Sequence, residues 1–219
     1  MDPDREARTR LQAYRHDLVG RIVDDLAHEI RNPLHALVIN LEVLKRRIAA
    51  GASDGAMERA VVIGEELDRV HRTVDRLITL IRPEPDGPPL CVPGALIEEL
   101  RPLFDAQAQS ARLALDLRID DTATSVRVAP ADLRFAVLAL VGCAVAPPPV
   151  DRTLRIDVAR DGGDLLVRVY GVTAAPDDER VGQAIEFGAA VVAAAGGTVS
   201  RDLEHGDGSI LTLCLPVSP

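Results

Sequence analysis

Apolar side chains recur at Leu11, Tyr14, Leu18, Ile22 and Leu26, and again at Leu34, Leu37, Leu41, Leu44 and Ile48. Steps of three and four specify one long amphipathic helix. Pro33 lies inside it, removes one amide donor and crowds the carbonyl of Glu29, so a kink is expected there. The turn residues of Ala49-Ala50-Gly51-Ala52-Ser53-Asp54-Gly55 end the helix. Ile63, Leu67, Val70, Val74, Leu77 and Ile81 then repeat at 4-3-4-3-4, which is a heptad seam. The two helices predict an antiparallel hairpin. Such a hairpin has little core of its own, and two copies pairing into a four-helix bundle complete it. Packing of the hairpin onto the second half of its own chain is the alternative.

The pattern changes after Arg82-Pro83-Glu84-Pro85-Asp86-Gly87-Pro88-Pro89, whose four prolines stop the helix and give a stiff, extended linker over residues 83–91. Beyond it a helix is predicted from about Val92 to Ser110. Strands are predicted at Leu113 to Ile119 and at Ser125 to Val128. An apolar helix from Asp132 to Val145 is stopped by Pro147-Pro148-Pro149. Two alternating stretches, Leu154 to Ala159 and Leu165 to Tyr170, flank the hairpin turn Asp161-Gly162-Gly163-Asp164. Glu179 to Ala195 reads as a helix, with Asp177-Asp178-Glu179 at its N-terminus and Gly196-Gly197 at its end. Thr198 to Leu203 and Ser209 to Leu215 close the chain as a last hairpin. The fold class is therefore α+β: a helical hairpin over residues 1–82, then an α/β sandwich over residues 92–219.

Composition narrows the function. Of 219 residues, 2% are aromatic and none is Trp, so the core rests on Leu, Val, Ile and Ala. The formal net charge of −9 supplies no basic patch for nucleic acid or an anionic membrane surface. Cys91, Cys143 and Cys214 are odd in number and widely spaced, and suit neither a disulfide framework nor a Cys-x-x-Cys metal site. They read as small buried hydrophobes in a reducing compartment. No apolar run reaches the ~18 residues that span a bilayer, and the first residues lack a signal-peptide plan. The expected location is cytoplasmic, or the chain is a piece of a longer receptor.

The chemistry concentrates in Leu26-Ala27-His28-Glu29-Ile30-Arg31-Asn32-Pro33-Leu34. On a helix Asn32 stands one turn beyond His28 on the same face, with Glu29 at its flank. An imidazole is a nucleophile for phosphoryl groups. A neighbouring carboxylate accepts or orients its proton, and a carboxamide positions a water. Phosphoryl transfer depends mostly on such positioning. Arg31 is a candidate contact for a phosphoryl group or an acidic partner. His35, two turns from His28, is a candidate docking residue, since a metal pair there lacks third and fourth ligands. His16, His71 and His205 read as surface residues.

This stretch resembles the phosphoacceptor box of sensor histidine kinases, His-Glu-x-x-Asn-Pro, at all four fixed positions. The strand and helix order after the linker, with Gly196-Gly197-Thr198-Val199 and the ending Gly206 to Pro216, is similar to that family's ATP-binding domain. The resemblance implies that residues 1–82 are a dimerisation and histidine-phosphotransfer domain. It makes His28 the phosphoacceptor, with Glu29 and Asn32 as its helpers.

The nucleotide-contacting positions depart from the pattern. Two magnesium-binding asparagines of the family fall at Ala139 and Cys143, neither of which offers magnesium a hard oxygen ligand. The adenine-binding aspartate is replaced, at Tyr170, and the Gly-x-Gly shrinks to Glu186-Phe187-Gly188-Ala189. The segment from Val172 to Phe187 is short for a nucleotide lid. The resemblance then implies a degenerate ATPase-like domain and a histidine phosphotransferase of two-component signalling. It would relay phosphoryl groups between His28 and receiver aspartates, with no cofactor of its own and Mg2+ held by the partner receiver. Expected partners are a second copy of the chain, response-regulator receivers and an upstream histidine kinase. Two alternatives remain: a sensor kinase with a divergent ATP site or a receiver phosphatase, and a dimeric pseudokinase scaffold.

Overall fold

The computed structural model describes residues 3–50, 55–81, 89–146, 152–173, 175, 178–203 and 208–217. The chain divides into two compact units, Asp17–Arg82, and Pro83–Pro219 together with Met1–His16. The prolines of the linker up to Pro88 lie outside the described residues.

Helix α1 runs over Pro3–Ala49 and α2 over Ala56–Ile81. Helix α1 continues through Pro33. Proline there forfeits the single bond to the Glu29 carbonyl, and the ladder resumes beyond it. Gly55, at φ +77°, starts the second helix in a conformation that glycine adopts without strain. Two cross-helix bonds fix the sense of the hairpin. Arg59 Nη1 donates to Asn40 Oδ1 at 3.0 Å, and Arg76 Nη1 to Glu29 Oε2 at 2.7 Å. As α1 is followed backward α2 is followed forward, so the helices are antiparallel.

The heptad seam of α2 is divided rather than buried as one stripe. Ile63, Val70 and Leu77 are half-buried, alongside buried Thr73 and Leu80. Leu67, Val74 and Ile81 instead stay exposed, with Met57, Val61 and Ile78 beside them. On α1, Leu34, Val38, Ile39, Leu41 and Ile48 are exposed too. A two-helix unit has one internal face, so half of a 3.5-residue repeat is left without a partner within the described hairpin.

The α/β unit is built on a five-stranded sheet in the order β1-β2-β3-β5-β4, from β1 (Ala114–Ile119), β2 (Thr153–Asp161), β3 (Asp164–Val172), β4 (Thr198–Leu203) and β5 (Ser209–Pro216). The β1–β2 pair is parallel and the others are antiparallel. The two-residue loop Gly162-Gly163 joins β2 to β3, with Asp161 opposite Asp164. Alternation places Leu154, Ile156, Val158, Leu165, Val167, Val169, Leu211, Leu213 and Leu215 in the core. Helices α3 (Pro93–Ser110), α4 (Pro130–Val145) and α5 (Glu179–Ala193) pack against the sheet and one another. Apolar on nearly every side, α4 is buried almost throughout. The other sheet face is polar: Asp116 pairs with Arg118 and Arg155 at 2.9 and 3.1 Å.

The opening turns of α1 belong to this unit. Arg15 bonds Asp132 at 3.1 Å and lies over the Phe135 ring, while Tyr14 meets Phe187 at 5.1 Å between centroids.

One predicted strand is absent. Ser125 to Val128 forms only a single bridge, Val126 to Cys91. The Asp121 carboxylate gathers the amides of Ala123 and Thr124 into a turn just before it. Val126 and Val128 are buried, which gives the segment a strand-like alternation without a ladder. Cys91 thus belongs to the α/β unit rather than to the linker. It and Cys143 are buried and Cys214 is half-buried, and all three are free thiols. Among the described residues no helix is long and apolar enough to cross a membrane.

Candidate functional site

His28 lies in the middle of α1 and is exposed, as are Arg31, Asn32 and His35. Positions 28, 31, 32 and 35 follow the i, i+3, i+4, i+7 rule and form one solvent-facing stripe. Pro33 is buried, and the loss of its amide leaves the Glu29 carbonyl without a helical donor one turn before it.

Glu29 is turned away from this stripe. Its Oε2 accepts from Arg76 Nη1 at 2.7 Å, with the two side chains 35% and 14% exposed. Among the described residues His28 has neither hydrogen bond nor ion pair, so the imidazole and the carboxylate are adjacent in the chain but not joined. Arg76 carries no signal in the sequence. It sits between heptad positions, where a charged residue ordinarily reads as solvated. Among the described residues no three His, Cys, Asp or Glu side chains come together as a metal site, His28 and His35 included.

Two of the positions expected to face a nucleotide lie on α4. Ala139 and Cys143 are buried in α4, and the Cys143 thiol donates to the Ala139 carbonyl at 3.4 Å and reaches the Arg180 carbonyl of α5 at 3.9 Å. A methyl group and a thiol committed to backbone carbonyls do not fit magnesium or a triphosphate.

Val169 is the residue on the core side, registered with Ile156 and Leu211. Tyr170 points to the polar face, where the Arg155 guanidinium lies over its ring at 5.5 Å. Partial burial, then a bond to Asp157, pushes its phenol above the ordinary range.

Gly188, the remnant of the Gly-x-Gly, is a packing residue. A Cβ there would meet Val199 Cγ2 at 3.3 Å and Leu213 Cδ2 at 3.4 Å. The lid segment is in part outside the described residues, Asp177 among them. Asp178 caps α5, its carboxylate accepting from the Arg180 amide at 2.9 Å. The Arg180 side chain on the same carboxylate holds Asp178 below the usual carboxylate range.

Residues 18–86 match the family model of the His Kinase A (phospho-acceptor) domain. Beyond that domain, the chain is 26% identical to the sensor histidine kinase ZraS of Escherichia coli (strain K12) over 215 aligned positions, covering 91% of this chain and 46% of the relative. The ZraS of Salmonella typhimurium is 24% identical over the same share of each. The chain therefore spans about half the length of the curated relatives it matches. Similar solved structures include the Acinetobacter baumannii histidine kinase AdeS, at a TM-score of 0.48 and 17% identity over 88% of this chain and 98% of that one. A bacterial phosphotransferase matches at a TM-score of 0.49 and 12% identity, over 90% of this chain and 95% of that one. In this chain a helical hairpin bearing His-Glu-x-x-Asn-Pro is followed by a mixed sheet with three helices. The chain carries a match to the His Kinase A (phospho-acceptor) domain and is similar to sensor histidine kinases over most of its length.

Proposed function

We propose that this chain is a histidine phosphotransferase that exchanges phosphoryl groups between His28 and the aspartate of a response-regulator receiver, without drawing them from ATP. The observation that carries this reading is the contrast between the two units. The acceptor box is whole, with His28 and Asn32 exposed on α1, while Ala139 and Cys143 are buried and bonded where the family pattern expects nucleotide ligands.

In the forward step a ring nitrogen of His28 attacks the phosphorus of an aspartyl phosphate. The P–O bond to aspartate breaks, returning a carboxylate, and an N–P bond forms. The ring proton passes to Glu29. Asn32, one turn away on the same face, orients a water or the phosphoryl oxygens, and Arg31 and His35 contact the receiver. Magnesium belongs to the receiver's acidic pocket. The active form is a homodimer, supported by the exposed apolar stripes of α1 and α2, and an upstream histidine kinase charges the receiver. The free thiols fit a cytoplasmic setting.

A second reading is a sensor kinase with a divergent nucleotide site, favoured by similarity to ZraS that runs through the α/β unit as well as the hairpin. Calorimetry with a non-hydrolysable ATP analogue and magnesium separates the two. The relay reading expects no binding heat, and tight binding supports the kinase instead.

A further inference from the structure

Among the described residues the Glu29 carboxylate has one partner, and it is not the histidine beside it. The bond from Arg76 is 2.7 Å long and mostly out of water, which makes it charge-assisted and poorly screened. Arg76 Nε is buried with no partner among the described residues. A desolvated guanidinium left partly unsatisfied is costly, and an apolar pair of the same size is often as stable. The cost falls one residue from the nucleophile.

We propose that Arg76 is a positioning residue that withholds Glu29 from His28, so that the imidazole gains its proton acceptor only when the α1–α2 ion pair opens. This rests on His28 being the acceptor of the proposed function. Successive residues of a helix diverge by about 100°. With one carboxylate oxygen on Arg76 of α2, Glu29 faces away from the stripe that carries His28. Motion that separates α1 from α2 at this level breaks the bond and frees the carboxylate to take the ring proton. The state of the hairpin then sets the reactivity of the histidine.

The test uses the full chain and phosphoramidate, a small donor that phosphorylates histidine without receiver or nucleotide. Arg76→Met should speed phosphorylation of His28 by about tenfold, a part of what a placed general base contributes. Arg76→Lys, which keeps the ion pair, should stay near the parent rate. The gain should vanish in Arg76→Met/Glu29→Gln. In 15N-edited spectra, Arg76→Met should shift the His28 ring nitrogens toward a single tautomer, and again only when Glu29 is present. Arg76→Gln is read in the same way if the methionine variant does not fold.

A rate and ring spectrum unchanged in folded Arg76→Met, or a gain that persists without Glu29, overturns the proposal. A merely structural bridge predicts that outcome, with a lowered Tm alone. If no receiver donates to His28 while the phosphoramidate pattern holds, the relay reading fails and this one stands. If receivers donate and the pattern is missing, this one fails alone.

Discussion

The thiol of Cys91 shows how a single side chain records the packing of the α/β unit. Burial is the main cause that raises its pKa to about 11, from an ordinary value of 9.0. Because the folded value lies above the unfolded one, the thiol adds stability that is whole below pH 9 and is lost as pH rises through 11. Urea unfolding of the α/β unit should therefore weaken across that window, and Cys91→Ala should flatten the slope. An unchanged slope would mean that the thiol is not buried as described. The same residue shows what a sequence reading reaches. Its burial follows from cysteine being a small hydrophobe, but its bridge to Val126 does not, since nothing local pairs residues 35 apart.

Among the elements, those with a strong period are legible in the sequence and those shaped by side-chain bonds are not. Thr198–Leu203 is a strand as its alternation predicts, and α3, α4 and α5 begin and end within two residues of their apolar runs. Residues 125–128 fail because the Asp121 turn takes the backbone before a ladder forms. The acceptor box was legible at His28, Glu29 and Asn32 because their types and spacing are chemical. Arg76 was not, because its importance lies in where α2 folds back beside α1.

The junction between α5 and β4 also follows from sequence, and it can be tested. Gly196 has φ +74°, and a Cβ on Gly197 would lie 2.5 Å from the Cys214 carbonyl oxygen and 2.9 Å from Val192 Cβ. Gly197→Ala should cost about 2 kcal/mol, the ordinary scale of overpacking against atoms that cannot swing aside, and lower the Tm of the α/β unit. A variant as stable as the parent would show that the turn is looser than drawn.

At the scale of the molecule the hairpin leaves apolar surface on both helices: Leu67 is 54% exposed, Val74 38% and Ile81 62%. Exposed heptad positions on α2 call for a second helix pair. Sedimentation should give a dimer for the parent chain and a monomer for Leu67→Glu/Val74→Glu, since a carboxylate in such a seam is desolvated without a partner. A parent chain that sediments as a monomer would remove the bundle from the account. Under the proposed function the two units divide the labour: the hairpin presents His28 to a receiver, and the α/β unit, with Ala139 and Cys143 buried in its core, takes no phosphate from ATP.

That division is tested most directly by following labelled phosphate onto this chain from two sources, ATP with magnesium and the phosphorylated receiver domains of the same organism. The account predicts acid-labile, alkali-stable label from a receiver, none from ATP, and none from either source in His28→Ala. Label taken from ATP by the isolated chain, or label from a receiver that persists in His28→Ala, would contradict it.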